Sequence, residues 1–231
     1  MTTIRSSAPR RRAKRGAGRP RVPAGSREAL LAAGTELFAE RGFDGVSVQA
    51  IARKAGVNPA MISYHFDGKR NLYLAIVTAT FGEIVAGVER LAASTKPAPD
   101  VLRELVALVG EMATRRHPHF CAMMLREVVA GGTHFDPAVI DQPARILGAV
   151  QRIVARGVRD GDLRPVDPLL THLSLVGSLV FFFGTTRFRQ RVLTTRRPAI
   201  RPPDAAAYVK HIQDLLSHGL AAERAGASRR T

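Results

Sequence analysis

Tryptophan is absent from this 231-residue chain, tyrosine occurs three times and cysteine once. The lone Cys121 excludes an internal disulfide and suits a reducing compartment, so a cytoplasmic location is expected. No period-two alternation of apolar and polar residues stands out, and no segment repeats, which argues against sheet and solenoid architectures. The most apolar run, 169–184, contains His172 and falls short of the roughly 20 residues a membrane span needs, so no membrane partner is expected. A secretion signal is not expected either, because the basic start is not followed by an apolar stretch. P-loop, G-x-S-x-G, H-E-x-x-H and strand-borne G-x-G-x-x-G patterns are all missing, which points away from an enzyme and from a bound cofactor. His117, His119 and Cys121 alternate across Pro118, a spacing that does not converge on one ion, and no carboxylates accompany them. No metal is expected.

What is present is basic and helix-forming. Alanine, leucine, valine and arginine are abundant, and hydrophobic residues make up 45% of the chain, enough for a sizeable core. The net charge is +16, and half of it sits in residues 1–25, which carry eight basic residues and no acid. Such a block cannot bury apolar surface, so it reads as a disordered basic arm attracted to polyanions. Within it, Gly18-Arg19-Pro20-Arg21 resembles the core of an AT-hook, with Ala17 where the hook has another arginine. Arg19 and Arg21 are thus candidates for a minor groove, or for phosphates without sequence preference.

The chain is organised around Ser47–Phe66, which reads as two short helices about a tight turn. Ser47 is placed to cap the first, with Val48, Ile51, Ala52 and Ala55 at helical spacing and Gly56 as its terminator. Asn58 caps the second, and Pro59 occupies a first position where a missing N–H is harmless. Ile62 and Phe66 then face inward, leaving Ala60, Met61, Ser63, Tyr64 and His65 outward. This is the shape of a helix-turn-helix, whose second helix enters the major groove. Upstream, Ser26 is expected to cap a helix over 27–41 with Leu30, Ala33, Leu37 and Phe38 as its apolar stripe. Downstream, Asp67-Gly68-Lys69 breaks the chain before a long helix over 70–93, with Leu72, Ile76, Ala79, Ile84, Val88 and Leu91 inward. Lys69 opposes the helix dipole there, which suits a phosphate contact.

The run Arg27–Val77, with Glu-Leu-Phe-Ala-Glu-Arg-Gly-Phe-Asp-Gly-Val-Ser-Val-Gln-Ala-Ile-Ala-Arg-Lys-Ala-Gly-Val and Ser-Tyr-His-Phe-Asp-Gly-Lys in register, resembles the N-terminal domain of TetR-family transcriptional regulators. That resemblance implies an all-α homodimer, with three DNA-binding helices over 26–77 and a larger helical domain over 78–222 for a small ligand and the dimer interface. A disordered tail over 223–231 would follow. It implies that Ser47 and Asn58 cap helices and meet phosphates, that Ala60, Met61 and Ser63 face base edges, and that Tyr64 and His65 meet the DNA backbone. Lys69 would hold a phosphate. Where this chain has Ala60 and Met61, the family often has glycine and threonine or alanine; Met61 would touch a thymine methyl or pack inward.

Beyond residue 95 the sequence yields elements more readily than roles. Helices are expected over 100–115 with Asp100 as cap, then 120–129, 136–159, 168–184 and 204–222, with a basic loop over 185–203. The apolar 168–184 helix should be covered nearly all round, and with the last helix it forms the expected dimer interface. Phe120, Met124, His172, Phe181 and Phe182 are the candidate lining of an apolar effector pocket. The expected function is a sequence-specific regulator, a repressor released from a palindromic double-stranded DNA operator by a small hydrophobic ligand. The competing expectation is a helical module that binds nucleic acid or anionic surfaces non-specifically through its arm.

Overall fold

The computed structural model describes residues 24–195 and 200–222. The expected arm, with Arg19 and Arg21, lies outside the described residues except for Ala24 and Gly25, as do Arg196, Arg197 and the tail 223–231. The described residues form ten α-helices, one π-helical turn and no strand, apart from an isolated bridge between Leu163 and Ala221.

Helix α1, Ser26–Arg41, starts one residue earlier than its sequence suggests. Gly25, left-handed at φ 76°, makes the turn into it, and Ser26 does not cap. The Ser26 hydroxyl instead lies buried, 2.7 Å from Nε2 of His65. The expected stripe of Leu30, Ala33, Leu37 and Phe38 is buried against α4, Lys69–Ala92. A Cβ on Gly34 would meet Ile76 at 3.0 Å, so glycine lets α1 and α4 cross closely. Between them stand α2, Val48–Ala55, and α3, Ala60–Phe66. As expected, the Ser47 hydroxyl accepts from the Ala50 amide at 3.1 Å, Gly56 is left-handed, and Asn58 Oδ1 accepts from the Ala60 amide at 2.8 Å.

Helix α4 is long and apolar enough to cross a membrane by length and composition, yet its apolar face is covered by α1, α5 and α7. Leu72, Tyr73, Ile76, Val77, Thr80, Phe81, Ile84 and Val88 are inward. Ala79 is exposed, because Thr80 and Phe81 take that step of the stripe. Arg156 of α7 closes its C-terminal end, donating to the Ala92, Ser94 and Lys96 carbonyls.

Helix α5, Ala98–Glu111, is capped from a distance: the Ala98 amide donates to Asp162 Oδ2 at 3.0 Å. Asp100 therefore sits inside the first turn and is not the cap. One π-helical turn, Met112–Arg116, ends this segment before α6, Phe120–Val129. Helices α7, Pro137–Arg159, and α8, Pro168–Gly184, begin where Asp136 and Asp167 accept from amides three residues on. The expected loop after α8 is in part helical: α9, Thr186–Thr195, turns away from α8 by 67°. Its arginines are exposed or stacked rather than buried, so their charge stays solvated and, with Gln190 and Leu193, they supply the helix-favouring residues of the segment. The last helix, α10, Ala205–Leu220, packs on α5.

Candidate nucleic-acid interface and effector cleft

On α3, which ends at Asp67, left-handed at φ 57°, the buried side chains are Met61, Ile62 and Phe66, which leaves Ala60, Ser63 and Tyr64 exposed at i, i+3 and i+4. That spacing is one helix face, and Tyr64 is 65% accessible on it. Met61 is 2% accessible and belongs to the core, so it does not reach a base edge. By spacing it lies about 100° from Ile62 and about 140° from Phe66, at the edge of the inward face, and packing draws it into the core. His65 is half-buried, bound to Ser26 and edge-on to Tyr64 at 5.0 Å, so it ties α3 to α1 rather than projecting freely.

Lys69 also turns inward. Its Nζ donates to the Phe43 and Val46 carbonyls, each at 3.0 Å, and sits 4.1 Å from the Phe43 ring centroid. The 43–46 turn presents two carbonyls to the start of α4, and an ammonium answers both better than a solvent-facing side chain could. Arg70, its neighbour, is exposed, as is Arg53 in the last turn of α2. The sequence held a signal for this pair: both lie within a turn of helix ends that border α3. Ser47 and Asn58 are exposed as well.

The helix-turn-helix is tied to the rest of the molecule by polar contacts on α6. Arg126 donates to the last carbonyls of α1, through Nε to Ala39 at 3.3 Å and through a terminal nitrogen to Glu40 at 2.9 Å. Glu127, 3% accessible, accepts from the Tyr73 hydroxyl at 2.9 Å and pairs with Nδ1 of His134 at 2.8 Å. Burial, then the hydrogen bond to Glu127, pushes the Tyr73 phenol well above its ordinary range, so it remains a donor. Nε2 of His134 lies 3.4 Å from Asp44, which reaches the turn that Lys69 also holds. No sequence pattern marked Glu127 or His134 as partners, since they meet Tyr73 only in three dimensions.

Beside these ties lies a cleft of about 1030 Å³, bounded by the end of α1, α6, the end of α8, α9 and residues 202–205. Of the five candidate pocket residues only Phe182 lines it. Phe120 is buried edge-on against Phe81, with centroids 5.0 Å apart, and Met124 is buried in the core. Half-buried His172 lies on α8 away from the cleft, its pKa lowered by burial. Phe181 is 61% accessible and does not line the cleft, standing on the open side of α8. Cys121 is buried, which pushes its thiol up to about 12, and no group of three or more potential metal ligands occurs among the described residues.

Similarity to known proteins agrees with this arrangement. The profile described as bacterial regulatory proteins, tetR family, matches residues 30–76, and that of the Tetracyclin repressor-like C-terminal domain matches 99–216, about half of the chain. The HTH-type transcriptional repressor NicS of Pseudomonas putida is 28% identical over 168 residues, covering 70% of this chain and 77% of that protein. The HTH-type transcriptional activator FasR of Mycolicibacterium smegmatis is 33% identical over 111 residues, 46% of this chain and 51% of that one. Among solved structures, the ketosteroid transcriptional regulator KstR2 of Mycobacterium tuberculosis superposes with a TM-score of 0.69 at 20% identity, over 90% of this chain and all of that one. The PfmR regulator of Thermus thermophilus gives 0.65 at 22% identity, over 82% and 97%. With an N-terminal helix-turn-helix, a helical C-terminal half and both halves matched, the chain belongs to the TetR family of DNA-binding transcriptional regulators.

Proposed function

We propose that the protein is a homodimeric, cytoplasmic repressor that places the exposed face of α3 in successive major grooves of a palindromic operator and leaves it when a small ligand binds. The observation that carries this is the exposed 60-63-64 stripe on a helix whose opposite face is fixed in the core. In this reading Ala60 and Ser63 read base edges and Tyr64 meets the sugar-phosphate backbone. Ser47 and Asn58 contact phosphates, together with Arg53 and Arg70 in place of Lys69. Arg19 and Arg21 add contacts from the arm, in the minor groove or on phosphates. Regulation, and not catalysis, is the assigned activity.

Dimerisation is assigned to α8 and α10. Leu170, Leu173 and Phe181 on α8 and Leu215 on α10 are exposed, and Ser174 and Gly177 between them allow close approach by a partner. The 168–184 helix, expected to be covered all round, has this one open apolar side. The proposed domain limits are 26–77 for DNA binding and 78–222 for ligand and dimer, with α4 running between them as the lever. A ligand acts by favouring a dimer whose two α3 helices are wrongly spaced for the operator.

Hydroxyl-radical footprinting of DNA flanking the protein's own gene tests this. Two protected half-sites related by a two-fold axis, about one helical turn or a multiple apart, are expected. Protection spread evenly over the fragment would refute the palindromic reading.

A further inference from the structure

We propose that the cleft between α1, α6 and α9 binds an anionic amphiphile, and that the anionic head competes with Glu40 of α1 for Arg187 of α9. The inference rests on the regulator reading for its consequence and on the cleft alone for its chemistry.

Two features of the cleft select the ligand. Its wall from α6 and α8 is apolar, with Leu125, Val129, Phe182 and Phe183, and Phe188 adds an exposed ring from α9. The charged lining of the cleft is Arg187 and Arg189 of α9 and Arg126 of α6, against Glu40 and Asp204. Arg189 lies flat over the Phe182 ring, its central carbon 3.7 Å from the centroid, and donates one terminal N–H to the Phe182 carbonyl. Its Nε is buried and has no acceptor among the described residues. A half-exposed guanidinium stacked on a ring, with no carboxylate partner among the described residues, is a half-built anion site, since a planar fork takes two oxygens at once. Burial weakens the hold of Arg189 on its proton, and a bound anion would restore it. A neutral oxygen can accept from a guanidinium too, but only the weaker uncharged-acceptor bond, so an anion is favoured at this end of the cleft.

The same site touches the DNA-binding half. Arg187 pairs with Glu40 at 3.2 Å, and the arginine is mostly exposed, so the pair is weak and open to exchange. A carboxylate or phosphate head on the arginines of this cleft takes the Arg187 contact from Glu40. It thereby removes the side-chain tie between α9 and the end of α1, leaving only the Arg126 bonds to the Ala39 and Glu40 carbonyls there. Ligand binding and the α1–α9 tie are then mutually exclusive, which is the differential affinity that a shift in equilibrium requires.

Calorimetric titration of the DNA-free protein with decanoate, decyl phosphate, decan-1-ol and decyltrimethylammonium tests the chemistry. One anion site per chain is expected, with the alcohol and the ammonium weaker by roughly tenfold or more. A preference between the two anions tells carboxylate from phosphate. Arg189→Met, which keeps the stem over Phe182, should weaken anion binding by about tenfold, with Arg189→Lys recovering part of it. Glu40→Gln, which removes the competitor, should strengthen it. Equal binding of all four amphiphiles, or anion binding indifferent to Arg189→Met, would overturn the proposal while leaving DNA binding untouched. The coupling is read separately, as the affinity for the footprinted fragment with and without decanoate. Wild type should lose affinity and Glu40→Gln should respond less; an anion that binds with no effect on DNA overturns the coupling. A protein that binds decanoate but never prefers one DNA fragment would contradict the regulator reading and leave the site standing.

Discussion

Lys69 and Arg70 are neighbours in sequence with opposite surroundings, one clamped on two carbonyls and one in solvent. Lys69→Met should therefore lower the stability of the fold by about 1–3 kcal/mol, the cost of leaving the Phe43 and Val46 carbonyls short of a charged donor, measured by urea denaturation. Arg70→Ala should leave stability nearly unchanged and reduce the salt dependence of DNA binding by about one charge, measured as the slope of log affinity against log salt. The reverse pattern would return the phosphate contact to Lys69. Ser63→Ala, on the exposed face of α3, should cost roughly 1–3 kcal/mol of operator affinity without affecting the melt, whereas Met61→Ala should affect the melt. Cys121 offers a control on burial. With its thiol pushed up to about 12, it should resist a thiol reagent at neutral pH in the native protein and react at once when unfolded.

At the scale of the element, helix boundaries were largely legible because capping chemistry is local. Ser47, Asn58, Asp136, Asp167 and Asp204 all accept from amides two or three residues on. Where capping is not local, the sequence misled. Asp162 caps α5 from the turn after α7, and Ser26 turns from its own helix to His65. The exposed half of α3 was legible from Ile62 and Phe66, but Met61 was not. A single methionine beside an inward pair can lie on either edge of the stripe, and only packing decides. The cleft was illegible altogether: its walls come from α1, α6, α8 and α9, and its arginines read as a solvated loop. Close helix contacts make a further prediction. A Cβ on Gly157 of α7 would sit 2.4 Å from Ala98 and 2.7 Å from Leu163, so Gly157→Ala should destabilise by about 1–3 kcal/mol. Gly82 of α4 meets nothing within 4 Å, and Gly82→Ala should stabilise by about 0.5–1 kcal/mol on helix propensity alone. A differential melt of the two variants checks both signs.

Across the whole molecule one hydrophobic core runs from Leu30 of α1 to Ile212 of α10, and beside it the helix-turn-helix is tied to the later helices by polar contacts: Arg126 on the end of α1, Tyr73 and His134 on Glu127, and Arg187 on Glu40. The open apolar side of α8 calls for a second copy to cover it. Phe181→Glu with Leu173→Glu should convert a dimer to a folded monomer in sedimentation, and weaken operator binding steeply because both half-sites must be held together. A dimer that survives both changes would place the interface elsewhere. The central claim is that α3 reads sequence while the charge elsewhere supplies only general attraction. The most direct measurement is titration of the protein against the DNA around its own gene beside random DNA of equal length, at low and near-physiological salt. The account predicts a preference for one fragment that persists or widens as salt rises and collapses in the Ser63→Ala, Tyr64→Ala double variant. Equal affinity for both fragments, lost together with rising salt and unaffected by that variant, would contradict it.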